Sequence, residues 1–196
     1  MAVELIGDIS LQAVDGRLHD AQILEVDPDY LSGQTSSWSR WAIKSAQPRE
    51  PFNWPAIAAN GDTAVTLALE LDDTVQALMQ VSDGHRHVCR SRTIDDCLYI
   101  SFLEVAPWNV MAAGPMRRYK NVGTTCMLLA AAISQQQRSA GRVGLHSIDR
   151  AVPFYLRHLF VAKYVDDCEN QFYERYMELE PTAAAELLGR AGEVKR

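Results

Sequence analysis

The chain has 196 residues, 47% of them hydrophobic, enough for one globular domain, 1–196, with a sizeable core. Acidic residues outnumber basic ones 25 to 19, a net charge of −6, which argues against a dedicated nucleic-acid binder with its basic face. The same charge is compatible with a cationic or amine acceptor drawn to an acidic cleft, but plain solubility is the better explanation of it.

No segment approaches the roughly 20 apolar residues of a membrane span. Met1 to Ser10 carries Glu4 and Asp8 and no basic region, unlike a secretory signal. Cys89, Cys97, Cys126 and Cys168 are spaced widely, with no CxxC pair and no disulfide framework. A reduced, cytoplasmic setting is the expectation, with neither nucleic acid nor membrane as partner.

The first thirty residues carry weak signals: Ile9 to Val14 reads as a strand before an Asp15-Gly16 turn, and Gln22 to Val26 as a second, ended by Asp27-Pro28. Ser32 to Ser37 is small and polar and reads as a loop. Trp38, Trp41, Phe52 and Trp54 follow, interrupted by Pro48, Pro51 and Pro55, which forbid one long helix. Period-two alternation then predicts strands over Thr63–Leu71 and Thr74–Val81, with Asp72-Asp73 as a tight hairpin turn. Asp83-Gly84 marks another turn. Leu98–Val105 is a more continuously apolar strand, ended by Ala106-Pro107.

After a joining segment, Trp108 to Arg117, a helix is predicted from about Val122 to Ala140. Cys126, Leu129, Ala130, Ile133 and Gln137 line one face, and Gly141 is a stop. A strand over Arg142–Leu145, a short helix over Ala151–His158, a strand over Gln171–Glu180 and a helix from Pro181 through Leu188 complete the pattern.

The stretch Arg118-Tyr119-Lys120-Asn121-Val122-Gly123-Thr124-Thr125 lies between strand and helix. A small-residue turn opening a helix leaves backbone N–H groups unpaired, and the helix dipole adds positive charge there, so the place suits a phosphate or pyrophosphate. Gly123, without a Cβ, admits close approach. Arg117, Arg118 and Lys120 add cations.

The order strand, Arg118-x-x-Asn121-x-Gly123, helix, strand, then Ala151-x-x-Phe154-Tyr155-x-x-x-Leu159-Phe160 resembles the GNAT superfamily of acyl-CoA-dependent N-acetyltransferases, over roughly Thr63 to Leu179. The family's loop reads Gln/Arg-x-x-Gly-x-Gly/Ala. Asn121 replaces its first glycine, and Asn is the next most tolerant residue of a left-handed backbone. The later signature reads Ala-x-x-Phe-Tyr-x-x-x-Gly-Phe. Here Leu159 replaces the glycine, and Ile148, beside Ser147 and Asp149, stands where an Asn is usual.

The resemblance implies a single-domain α/β fold, a mixed, mostly antiparallel sheet flanked by helices on both sides. It implies transfer of an acetyl or other acyl group from acetyl-CoA or another acyl-CoA to a primary amine of a small molecule or protein, by direct attack in a ternary complex. No metal takes part. The cofactor would be held by Arg118, Asn121, Val122, Gly123, Thr124 and Thr125, with the backbone of Leu103 and Val105 pairing with the pantetheine arm and acyl carbonyl.

Glu104 is the candidate base, directly or through water. Its same-face neighbours Leu98, Ile100 and Phe102 suggest an apolar setting, which makes a carboxylate a better base near neutrality. A strand-end glutamate facing solvent or an arginine is an equal alternative. Tyr155 matches the tyrosine that protonates the departing thiolate, although a core tyrosine would look the same.

Other constellations are weaker. His85, His87 and Cys89 share a strand face and could begin a metal site, but no second ligand cluster follows. Cys126 as a nucleophile near His146 competes with its place on a buried helix face. Ser147 lacks a nucleophile-elbow context. The tryptophans before residue 60 suit core packing better than an acceptor pocket. A catalytically silent acyl-CoA-binding or interaction module on the same fold is the alternative to an enzyme. The acceptor is not legible, and pairing through the C-terminal strand and helix leaves a homodimer open.

Overall fold

The computed structural model describes residues 3–44, 51–60, 63–83, 97–137, 139–162 and 174–193. Among these, the elements in chain order are β1 (Glu4–Ala13), β2 (Leu18–Glu25), α1 (Pro28–Gln34), α2 (Trp38–Lys44), α3 (Trp54–Ala59), β3 (Ala64–Leu71), β4 (Thr74–Asp83), β5 (Leu98–Val105), β6 (Tyr119–Lys120), α4 (Val122–Gln136), β7 (Val143–Ile148), α5 (Val152–Arg157), β8 (Val161–Ala162), β9 (Glu174–Leu179) and α6 (Pro181–Glu193). Short 3-10 turns cover Pro107–Asn109, Met111–Met116 and Asp149–Ala151. The architecture is mixed α/β and mostly antiparallel; β5 and β7 run parallel.

The chain forms two compact units, one of residues 1–81 and 102–126, the other of 82–101 and 127–196. In the first, the strands follow the order β6-β1-β2-β3-β4-β5. β1 pairs with β2 from Glu4↔Glu25 to Gln12↔Leu18, with a register shift between Leu5 and Gly7. The predicted hairpin at Asp72-Asp73 is there: both residues are left-handed, at φ 51° and 53°. Two positive φ values in succession match the right-handed twist of the flanking strands without a glycine.

The proline-broken aromatic stretch folds as short helices. Asp27 caps α1, accepting from the Tyr30 N–H at 2.9 Å, with Pro28 in the first turn. This replaces the expected loop over part of Ser32–Ser37 with the end of α1. Asn53 caps α3, accepting from the Ala56 N–H. These helices put Leu31, Trp38 and Trp54 into one core with Leu24, Val26, Ala68, Val75, Leu78, Ala106 and Trp108; Tyr30, Trp41, Phe52 and Phe102 pack on its margin. Burying large aromatic side chains supplies much of the driving force for this unit.

The second unit has the strand order β5-β7-β9-β8. β7 pairs with β9 from Val143↔Leu179 to Ile148↔Glu174. Leu98, Ile100, Met127, Ala130, Leu145, Met177 and Leu179 are buried. α4 stops four residues short of the expected Ala140: Ala140 and Gly141 are both left-handed, at φ 50° and 96°, and the Ser134 hydroxyl donates to Arg142 O at 2.7 Å.

A polar row crosses this unit. The Tyr99 hydroxyl lies 2.6 Å from His146 Nδ1, the Tyr176 hydroxyl donates to Glu178 Oε2 at 3.1 Å, and Glu178 pairs with Arg142. Burial and then Glu178 push the Tyr176 phenol well above its ordinary range. Among the described residues no helix is long and apolar enough to cross a membrane. His85, His87, Cys89 and Cys168 lie outside the described residues.

Candidate functional site

The first unit carries the stretch from Phe102, in the second half of β5, to Cys126 in the first turns of α4, and its organiser is a buried amide. Gln76 Oε1 accepts from Trp108 Nε1 at 3.0 Å and from Asn109 Nδ2 at 2.9 Å, while Gln76 O accepts from the Ala106 N–H at 2.9 Å. Asn109 Oδ1 then accepts from the Tyr119 N–H at 3.1 Å, and Trp108 O from the Arg118 N–H at 3.0 Å. Gln76 and Asn109 are buried, so each of these bonds replaces water that the interior excludes. The network fixes the path of the joining segment, Trp108 to Arg117, and of the Arg118 and Tyr119 amides that follow it. Sequence pattern read Gln76 only as the polar side of a strand, and a buried amide has no periodic signal.

The loop itself leads through β6, which pairs with β1 at Gln12↔Lys120 and Ala13↔Tyr119. Asn121 follows with φ 58° and its side chain exposed. It has the left-handed backbone expected where the glycine is missing, the conformation Asn tolerates best after Gly. Thr125 closes the first turn of α4: its N–H donates to Asn121 O at 2.9 Å and its hydroxyl at 3.2 Å. Its N–H is thus used within the helix, and the helical N–H groups ahead of it are those of Val122, Gly123 and Thr124. Gly123 is half-buried and Val122 buried.

Two of the three expected cations, Arg117 and Arg118, have partners within the protein. Arg117 Nε donates to Asn109 O and Tyr119 O, both at 3.1 Å. The Arg118 guanidinium lies over two indoles, 5.5 Å from the Trp41 centroid and 5.2 Å from that of Trp108. No periodicity signals that pairing, because it joins residues far apart in sequence.

Glu104 also has partners the strand pattern did not reveal. Its Oε2 accepts from the Phe52 N–H at 3.0 Å and from Trp54 Nε1 at 2.7 Å. Phe52 and Trp54 also meet Phe102 edge-on, at 5.2 and 6.5 Å. The apolar setting expected for Glu104 is therefore only half of its surroundings; two donors complete it. Leu103 and Val105 are half-buried and lie beyond the last pair of the β5–β7 register, which runs from Leu98↔Val143 to Ile100↔Leu145.

Tyr155 belongs to the second unit. It is buried on α5 and meets Phe154 and Phe160 edge-on at 5.2 and 5.6 Å. Its carbonyl accepts from His158 N and Phe160 N. Leu159, where the family has glycine, is left-handed at φ 65°. Cys126 is buried, and burial pushes its thiol up to about 12, which suits a core residue and not a nucleophile. Ser147 is buried with its hydroxyl donating to Ile148 O at 3.0 Å. Among the described residues no group of three or more His, Cys, Asp or Glu could hold a metal.

Comparison with solved structures decides the fold. An uncharacterized protein from Bacillus halodurans superposes with a TM-score of 0.62 at 8% identity, covering 95% of this chain and 96% of the other. The aminoglycoside acetyltransferase AAC(6′)-Ib, solved with coenzyme A and kanamycin, gives 0.58 at 11% identity, covering 84% and 96%. The GNAT domain of S. lividans PAT gives 0.53 at 14% identity, covering 87% and 95%.

This is the GNAT fold.

Sequence comparison finds no matching family model and no matching curated protein. β5, α4 and α5 form where the sequence predicted a strand over Leu98–Val105, a helix from Val122 and a short helix within Ala151–His158. At both substituted glycine positions, Asn121 and Leu159, the backbone is left-handed.

Proposed function

We propose that the protein transfers an acyl group, acetyl in the simplest case, from CoA to a primary amine. The observation that carries this reading is the left-handed Asn121 at the entrance to α4 on a GNAT fold. A glycine at this place would adopt the same backbone conformation, and that supports a pyrophosphate turn here. The N–H groups of Val122 and Gly123, with Thr124 beside them, would receive the pyrophosphate at the positive end of the helix dipole. The backbone of Leu103 and Val105 would pair with the pantetheine arm.

In the reaction the amine nitrogen attacks the thioester carbonyl carbon, the C–S bond breaks, and the amide forms. Glu104, directly or through water, would take the proton the amine loses, and Tyr155 would return one to the departing thiolate. The acceptor is an amine of a small molecule or a protein.

Calorimetry with acetyl-CoA on wild type and Gly123→Trp tests the reading. Binding to wild type that the folded variant lacks supports it; no binding to wild type overturns it.

One observation favours a second reading, an acyl-CoA-binding module without turnover. Glu104 Oε2 already serves the Phe52 N–H and the Trp54 indole, so the carboxylate has a structural task independent of any substrate. Acetyl-CoA binding without product over a broad amine panel would support it. Turnover that falls in Glu104→Gln and Tyr155→Phe would support the enzyme.

A further inference from the structure

Trp41 and Trp108 meet as two walls of a corner, with ring centroids 5.8 Å apart and planes inclined by 71°. The Arg118 guanidinium fills it, within 5.5 Å of both ring centroids. The ring faces carry negative potential, so such a corner attracts an organic cation.

Each wall has support that does not involve Arg118. Trp108 Nε1 donates to Gln76, and Trp38 abuts the Trp108 ring at 6.2 Å. Trp41 is carried by α2, where its N–H donates to Ser37 O at 3.2 Å. The filling is the movable part. The Arg118 peptide is pinned on both sides, by Trp108 O and by the Val14 N–H, but the residue is exposed to solvent and its charge sits at the end of a long flexible stem.

We propose that Trp41 and Trp108 form a binding site for a small organic cation, an alkylammonium or guanidinium group, which the chain's own Arg118 occupies until a ligand displaces it. Displacement exchanges one cation–π contact for another, so the site is selective for cations whose hydration shell is weak. Tightly hydrated inorganic ions do not compete. Cation binding here requires no acyl-CoA, and it stands or falls separately from acyl transfer.

The test is titration of tryptophan fluorescence with tetramethylammonium chloride at constant ionic strength, with tert-butanol as the uncharged probe of similar shape. Arg118→Ala vacates the corner and should half-saturate at a concentration at least about tenfold below wild type, a shift of one decade in affinity. Arg118→Met refills the corner with an uncharged chain and should return to the weak wild-type response. Adding Trp41→Leu to Arg118→Ala should remove the response, with circular dichroism confirming that each variant is folded. The proposal is overturned if Arg118→Ala binds no better than wild type, if the double variant titrates like Arg118→Ala, or if tert-butanol matches tetramethylammonium.

Discussion

The indole N–H of Trp54 donates to Glu104 Oε2 at 2.7 Å, joining the first turn of α3 to the end of β5 across fifty residues of sequence. With the Phe52 N–H on the same oxygen, this bond holds the α3 approach against the strand proposed to carry the thioester. Hydrogen bonds to a charged group contribute more than neutral ones.

Trp54→Phe keeps most of the ring but deletes the donor. It should lower stability by about 1.5–3 kcal/mol, the range for a hydrogen bond to a charged partner. Urea unfolding of Trp54→Phe, Glu104→Gln and the pair, read as a double-mutant cycle, should show strong coupling. Additive losses would mean that the bond contributes nothing in solution.

Gln76→Leu should be more damaging than its position on a strand suggests. It strands the Trp108 indole N–H and the Asn109 amide in the core, at about 1–3 kcal/mol for each orphaned group. Hydrogen exchange should also speed up at the Arg118 and Tyr119 amides, which depend on the same network. Exchange unchanged at those two amides would show that Gln76 does not organise the loop.

Leu159→Gly should be neutral or stabilising, against the usual direction of a leucine-to-glycine change. The residue is left-handed and half-exposed, and a side chain in that conformation costs about 1–2 kcal/mol. Leu159→Val, branched at Cβ, should move the other way. Thermal unfolding of the two variants decides the sign, and a clear loss in Leu159→Gly would place the residue's value in packing.

Glu70 gives a pH signature. Its carboxyl lies above the ordinary 4.5, first because of burial and second because of Asp73, while the Tyr30 hydroxyl donates to it. The folded state therefore holds the proton more tightly than the unfolded one. The associated destabilisation is absent well below pH 4.5 and grows as pH rises through the raised folded value. Glu70→Gln retains an acceptor for Tyr30 and removes the titration, so its stability relative to wild type should increase across that interval. A difference that stays flat with pH would refute the assignment.

The strands Ala64–Leu71 and Thr74–Asp83 were legible from the alternation of their side chains, although the structure buries both faces of each over 66–71 and 75–81, and Leu98–Val105 was legible as a continuous apolar run. The opening of α4 was legible because small residues follow a strand. The three short helices before β3 were not, since Asp27 and Asn53 cap elements of only six or seven residues, too short to show a helical period. For the site, Asn121 could be read from its tolerance of left-handed backbone. The Gln76–Trp108–Asn109 network and the Arg118 stacking could not, because they pair side chains distant in sequence through chemistry that leaves no periodic trace.

β6 is only two residues long, yet it fastens the loop before α4 to the opening hairpin through Gln12↔Lys120 and Ala13↔Tyr119. The hairpin therefore acts as a splint. Mechanical or proteolytic damage to the first strand would reach the entrance of α4 without altering any residue there. Because side chains alternate along a strand, a slip of one residue in that clasp would turn Lys120 to the opposite face, so fusions and deletions at the amino end are best designed to leave 12–13 undisturbed.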